Sequence, residues 1–400
     1  MITVDAALAH VLALAATPRA ETVSLAQAYG RALLSAPPAR LTQPPFDAAA
    51  MDGYALREAD LPGPLDLIGE SAAGHPWQGT PRPGTAIRIF TGAPVPPGYD
   101  RVEMQENTVR DGDRVTVTRP SQGRHIRAAG SDFSTGDRLA AGRRLSAADI
   151  GLLAAMNLPQ IEVARRPEVA ILAGGDELVP PGASPAAGQI ISSNDLAIAA
   201  LVTEAGGVPR LLPIARDTAD SLRAGFAAAI GADLLVTIGG ASVGDHDLIG
   251  KIAAEQGFER SFYKIAMRPG KPLLAGRLAG MPMLGLPGNP VSAITCAILF
   301  MQPLIRAMQG LAPMQPLLRA RLGCDLGPEG PRQHYLRARL DGGCDLPCVT
   351  PFGDQDSARL SLLSQADVLM IRPAHDGPRR KGETIDCLPL STQRLTFCSA

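Results

Sequence analysis

Residues 233–290 constrain this chain more than any other stretch, because three turn signals follow apolar runs there with charged residues beside them. Residues 234–238 are a short apolar run rich in branched side chains and predict a buried strand. Gly239-Gly240-Ala241-Ser242-Val243-Gly244 follows at once. A strand that opens into a glycine-rich turn lets backbone N–H groups approach an anion closely. Gly239, Gly240, Ser242 and Gly244 are therefore the expected cradle. Asp245 and Asp247 come next, and carboxylates beside a phosphate cradle are the usual way to hold Mg²⁺. Lys264, Arg268 and Lys271 then arrive within eight residues, around the turn Pro269-Gly270. Another apolar run, 283–286, ends in Pro287-Gly288-Asn289-Pro290 and feeds an apolar helix expected over 291–300. The first turn of that helix is expected to offer free N–H groups and a positive dipole end.

Of 38 Lys plus Arg, only four are Lys: Lys251, Lys264, Lys271 and Lys381. Two of the four lie in the segment 264–271, where a compact point charge is favoured over a planar fork. The net charge of −1 supplies no field to draw nucleic acid or a membrane, so any anion is bound locally. Four hundred residues, 46% hydrophobic and 19% charged, predict several globular domains. Cys296, Cys324, Cys344, Cys348, Cys387 and Cys398 complete no zinc pattern and read as reduced thiols of a cytoplasmic protein. The apolar stretch 6–16 lacks a positive leader and is too short to span a bilayer; its spacing predicts a surface helix.

Residues 1–40 read as two helices, 4–16 and 25–34. From 41 to 135 short β segments alternate with Gly and Pro, which predicts a small β domain. Residues 137–165 return to helix and strand, with Ser146 as an N-cap, and are expected to pack on the N-terminal segment. From 166 strands alternate with helices, the pattern of a parallel sheet covered on both faces. Ligands of such sheets bind beyond the carboxyl ends of the strands. The exits 174–177, 215–217, 239–247 and 287–290 are thus expected to meet, crowding Asp176, Glu177, Asp217, Asp245 and Asp247 beside Lys264 and Lys271. After Pro313 the pattern is β again, with Arg332, Arg337, Gln355 and Ser357 as polar residues able to meet a ligand.

In this order the motifs resemble the molybdopterin molybdenumtransferases of molybdenum-cofactor synthesis, the family that includes the E domain of gephyrin. PPFDAAAMDGYAL is similar to the family's PPFDNSAMDGYAV, and IFTGAPVPPGYDRVEMQE to its TGAP and VVMQE blocks. LAGGDELVPPG, GQIISSN, DLLVTIGGASVGDHD, KIAMRPGKP and LPGNPVSA follow in the family's order. The resemblance spans about Val4 to Thr396. It implies a multidomain α/β plus β fold: a central parallel-sheet, MogA-like molybdopterin-binding domain, flanking β domains and an elongated linker domain of helix and strand. The implied divisions are 1–40 with 136–165, then 41–135, 166–313 and a barrel-like 314–400.

The implied reaction takes adenylyl-molybdopterin and molybdate, depends on Mg²⁺, and yields molybdenum cofactor and AMP. The family's cleft lies between the α/β domain of one subunit of a homodimer and the β domain of the other, which brings in Asp52, Thr91 and Asp132. By position, Glu177, Asp217 and Asp247 match the acidic rim, and Lys264, Arg268 and Lys271 the basic set. Glu177, Asp217, Asp245 and Asp247 are the expected Mg²⁺ ligands. Pro287, Gly288, Asn289, Arg337 and Ser357 join the glycine turn as the expected cofactor-binding set. Molybdopterin adenylyltransferase and molybdoenzyme maturation proteins are the implied protein partners. Five departures stand out: Ala48-Ala49 for Asn-Ser, Gly174 for Thr, Ser192 in a segment lacking the family's Asp, Arg268 for Lys, and Asp354 for His. They keep a second reading open, a non-catalytic carrier or scaffold derived from the family. An adenylyltransferase activity is the nearer rival, but it would need no flanking β domains.

Overall fold

The computed structural model describes residues 1–239, 248–342 and 345–390. Its centre is a six-stranded sheet in the order Val208–Leu211, Glu168–Ala173, Leu234–Ile238, Met281–Leu286, Pro272–Leu278, Phe258–Lys264. The first four strands are mutually parallel. The last two are antiparallel, and they were not foreseen: the sheet is mixed, not purely parallel. Side chains alternate between two buried faces. Val169, Ile171, Leu234, Val236 and Leu284 face one cluster, and Ala170, Leu172, Leu235 and Met283 the other. The first face carries the helix Asn194–Glu204 and the helical run 290–307, which contains a π turn at Ala297–Met301. That run is long and apolar enough to cross a membrane, but it is 78% buried inside the protein. The second face carries Ala219–Ala228 and Leu248–Glu255.

The N-terminal helix is Val4–Leu12, capped by the Thr3 hydroxyl. It is not a free surface helix. Val4, Ala7 and Val11 are buried in the first face of the central sheet. The second expected helix, 25–34, does not form. Ala20–Ser24 and Leu33–Ser35 are strands on either side of Gln160–Ala164, with only a short 3₁₀ turn, Leu25–Gln27, between them. Pairing with the distant 160–164 segment outweighs the helical propensity of the Leu-Ala-rich stretch. The helix Ala147–Ala155 packs on this sheet and starts with a capping box between Ser146 and Asp149.

Residues 48–127 build a six-stranded sheet and a two-stranded ribbon. The C-terminal strands close on themselves. Gln333–Asp341 pairs with Cys348–Pro351 and Val368–Arg372, and the ring runs on through Leu318–Leu322 and Thr384–Pro389. A closed barrel leaves no open edge. The barrel's end is held by Arg372, 1% exposed, which donates to Asp376 and to the carbonyls of Gly327 and Gly377. Burial pushes the Asp376 carboxyl up, but hydrogen bonds from Arg379 and Arg372 outweigh it and hold the group below its ordinary value. A depressed carboxyl stabilises the fold above its unfolded pKa of 3.8, and that contribution is lost as pH falls through the lower folded value. Asp376→Asn leaves Arg372 without its carboxylate and is expected to cost about 3 kcal/mol in urea unfolding at neutral pH, and to remove this part of the acid sensitivity. An unchanged midpoint at pH 7 would contradict the assignment.

Candidate functional site

Four parallel strands point their carboxyl ends the same way, so their exits share one rim. The bonds of that rim are direct. Gly174 donates its N–H to Ile238 O, Gly175 to Ala215 O, and Gly239 to Leu286 O. Gly239 has φ +87°, and a Cβ there would lie 2.8 Å from the Gly174 carbonyl oxygen. Only glycine fits where these backbones cross. Asp176 and Glu177 are exposed on the first exit, and Asp217 is exposed on the second. The Asp176 carboxylate accepts the Asp217 N–H at 3.1 Å, and Arg216 donates to the Asp176 carbonyl at 3.0 Å. Gly240, Ser242, Gly244, Asp245 and Asp247 lie outside the described residues.

The basic segment reaches the same rim through the two unforeseen strands. Lys264 ends one strand and Pro272 begins the next, and the two are register partners. The strand 272–278 is antiparallel to 281–286, so its start lies at the carboxyl end of the parallel strands. Lys264 and Lys271 therefore lie at the same edge of the sheet as the acidic exits, several strands along from them, and neither they nor Arg268 form an ion pair among the described residues. Three neighbours fix the hairpin. Ile2 donates to Lys264 O and accepts from Ala266. Met267 and Arg268 pair with Gln333 and His334 of the barrel. Gly270, at φ +99°, sits where any Cβ would strike the Cys296 sulfur. Burial pushes the Cys296 thiol up, so it stays neutral and is packing rather than a nucleophile.

Pro287, Gly288 and Asn289 form the fourth exit, and it is clamped from two sides. Asn194 donates its side-chain amide to Gly288 O at 2.7 Å, and Asn289 donates to Ser357 Oγ at 3.0 Å. The expectation of a free helix N-terminus is narrowed here. Pro290 has no N–H, the Val291 N–H goes to Ser357 O at 3.1 Å, and the Ala293 N–H to Asn289 O. Ser357 is thus a cap as well as a rim residue. Arg337 also departs from its expected place as a ligand-facing group. It is 1% exposed, and it donates to Gln355 Oε1 and to the carbonyls of Asp354, Asp356 and Arg359. Its fork shapes the loop that delivers Ser357. Gln355 closes that loop with bonds to Arg337 O and Phe352 O. Asn194 was missed as a positioning residue; its signal was its place in GQIISSN. Gln355, expected among the polar residues able to meet a ligand, is engaged in holding the loop.

Asp52, Thr91 and Asp132 are exposed, and their hydrogen bonds stay within the small β domain. Asp52 Oδ1 accepts from the Thr91 N–H at 2.7 Å and from the Thr91 hydroxyl at 2.8 Å. These two bonds, aided by Arg88, hold the Asp52 carboxyl below its ordinary value. Asp132 donates its N–H to Gln43 O. Nothing among these bonds joins the trio to the rim of the same chain.

Three of the five sequence departures can be placed in local structure. Ala48 and Ala49 are 5% and 0% exposed in the two-stranded ribbon, so the apolar side chains sit at buried positions. Ser192 donates to Asp195 at 2.9 Å, so a carboxylate is still supplied near that turn. Asp354 accepts the Asp356 N–H and pairs with Arg359. Glu177 and Asp217 are hard oxygen donors suited to Mg²⁺. Among the described residues, however, no group of three His, Cys, Asp or Glu forms a metal-holding set.

Comparison with known proteins agrees with this architecture. Residues 2–157 match the MoeA N-terminal region, domains I and II. Residues 170–307 match a probable molybdopterin binding domain, and 319–390 the MoeA C-terminal region, domain IV. A molybdopterin molybdenumtransferase of Nostoc is 38% identical, over 88% of this chain and 85% of its own length. Molybdopterin molybdenumtransferase 2 of Mycobacterium tuberculosis is 36% identical, over 88% of this chain and 90% of its own. The crystal structure of the molybdopterin biosynthesis MoeA protein of Pyrococcus horikoshii superposes with a TM-score of 0.81 at 29% identity, covering 98% of this chain and 99% of that one. The chain belongs to the MoeA family of molybdopterin molybdenumtransferases.

Proposed function

We propose that this enzyme inserts molybdenum into molybdopterin, taking adenylylated molybdopterin and molybdate and releasing AMP. The observation that supports the reading is the placement along one sheet edge of the Gly239 exit, the 287–289 turn, the acidic exits at 176–177 and 217, and the cations of 264–271, which form no ion pair among the described residues. A pyrophosphate linkage needs its charge offset where it is held, and molybdate is a compact dianion that needs positive charge and N–H donors. Lys271 and Arg268 supply the first, and the glycine and 287–289 turns the second. Glu177 and Asp217, with Asp245 and Asp247, would hold Mg²⁺. When bound, that ion supplies charge neutralisation at the phosphates. Scission of a phosphoanhydride depends on positioning and electrostatics, so no covalent protein nucleophile is required. Asn194 and Ser357 keep the 287–289 turn in one geometry while the substrates are bound.

The site is completed across a homodimer in this proposal, with Asp52, Thr91 and Asp132 of the partner subunit facing the rim. Support comes from the local wiring of that trio: Asp52 and Thr91 are preorganised and exposed, yet engage nothing in their own rim. A cytoplasmic location fits the free thiols of Cys296, Cys324, Cys348 and Cys387 among the described residues.

Two experiments test the reading. Lys271→Met and Asp217→Asn are each expected to lower AMP release from adenylylated molybdopterin by about 10²-fold or more, with Asp217→Asn also raising the Mg²⁺ concentration needed for half-maximal rate. Full turnover in both variants would refute the rim as the reaction site. Light scattering at micromolar concentration is expected to give twice the chain's 41.7 kDa, and mixing Asp52→Ala with Lys271→Met protein should restore part of the activity that each lacks alone. A monomer with full turnover would refute the shared cleft.

A further inference from the structure

A second charged pocket lies away from the rim, in the seam between residues 142–144 and the end of the helix Asn194–Glu204. Its volume is about 410 Å³, within the range of small-molecule sites, and its walls include Arg143, Arg144, Arg306, Glu204 and Gln302. The arginines are not equivalent. Arg143 is paired with Asp149 at 3.0 Å. Arg144 donates to Glu204 O at 2.9 Å and to Ala205 O at 2.8 Å, so it caps the negative end of the helix. Arg306 donates only its Nε, to Ala312 O at 3.0 Å. The two terminal nitrogens of Arg306 have no hydrogen bond or ion pair among the described residues.

Arg31, Arg101, Arg210 and Arg372 each meet a carboxylate, and the buried Arg337 meets four oxygen acceptors. In the pocket the carboxylate at hand is Glu204, which accepts a long 3.4 Å bond from Gln302 and pairs with no arginine. Burial, with Arg306 and Arg166 as like charges, pushes the Arg144 guanidinium down, and Glu204 only partly offsets this. Positive charge is therefore in excess around an open, half-enclosed space, with one guanidinium fork free.

We propose that this pocket binds a small polyanion, a phosphate ester or a polycarboxylate, through the terminal nitrogens of Arg306 with Arg144 behind them. A fork with two parallel donors matches either oxyanion bidentately. The place is informative as well. The helix that Arg144 caps begins at Asn194, whose side chain holds Gly288 of the substrate turn, about 16 Å away along one rigid element.

The test is titration calorimetry of the full chain without divalent cations, using pyrophosphate and, separately, citrate as probes. The expected result is one binding event with at least one probe, weakened at least about tenfold by Arg306→Gln and less by Arg306→Lys, and retained in Lys271→Gln. The probe that binds tells the ester class from the carboxylate class. No binding of either probe, equal affinity in Arg306→Gln, or loss in Lys271→Gln with retention in Arg306→Gln would overturn the proposal. The last outcome would put the anion at the parallel-strand rim.

Discussion

The strand Leu234–Ile238 lies between Glu168–Ala173 and Met281–Leu286, hydrogen-bonded in parallel to both, and the functional architecture depends on that arrangement. Parallel neighbours must end at the same edge, so residues far apart in sequence leave the sheet together. Gly239 can exit only because it lacks a side chain, 2.8 Å being too close for a Cβ beside Gly174 O. The crossing of these two backbones sets where the acidic exits stand relative to the glycine turn.

The other domains act on this rim through few, specific bonds. The barrel reaches it twice: by strand pairing with Met267 and Arg268, and by the Ser357 loop shaped by Arg337. The N-terminus reaches it by stapling Ile2 to the basic hairpin, and then buries its first helix in the central core. Basic side chains on a hairpin would be mobile alone. Here the backbone between Lys264 and Lys271 is tied on both flanks while the charged ends form no ion pair among the described residues, an arrangement suited to an anion.

Much of this could be read in the sequence, for physical reasons that also explain the failures. Buried parallel strands are short apolar runs, so those read at 234–238 and 283–286 were visible, and their common exit followed from topology. The edge strand Phe258–Lys264 was not visible, because Glu259, Arg260 and Ser261 face solvent and break the apolar signal. Leu33–Ser35 was misread as helix because its partner lies more than a hundred residues away, and propensity says nothing of such pairing. The donors expected in the first turn after Pro290 are one fewer than the sequence suggested, since no local pattern shows that Ser357 takes the Val291 N–H. Arg337 was read as a ligand-facing cation for the same reason: its acceptors are carbonyls, which the sequence does not display.

The central claim is that this rim couples phosphoanhydride cleavage to molybdate. The most direct measurement is AMP release from adenylylated molybdopterin by the purified chain with Mg²⁺, with and without molybdate. The account predicts AMP only when molybdate is present, together with product that activates a molybdenum-free apoenzyme. Tight binding of the adenylylated pterin with no AMP under either condition would contradict it, and would make the chain a carrier built on an enzyme's fold.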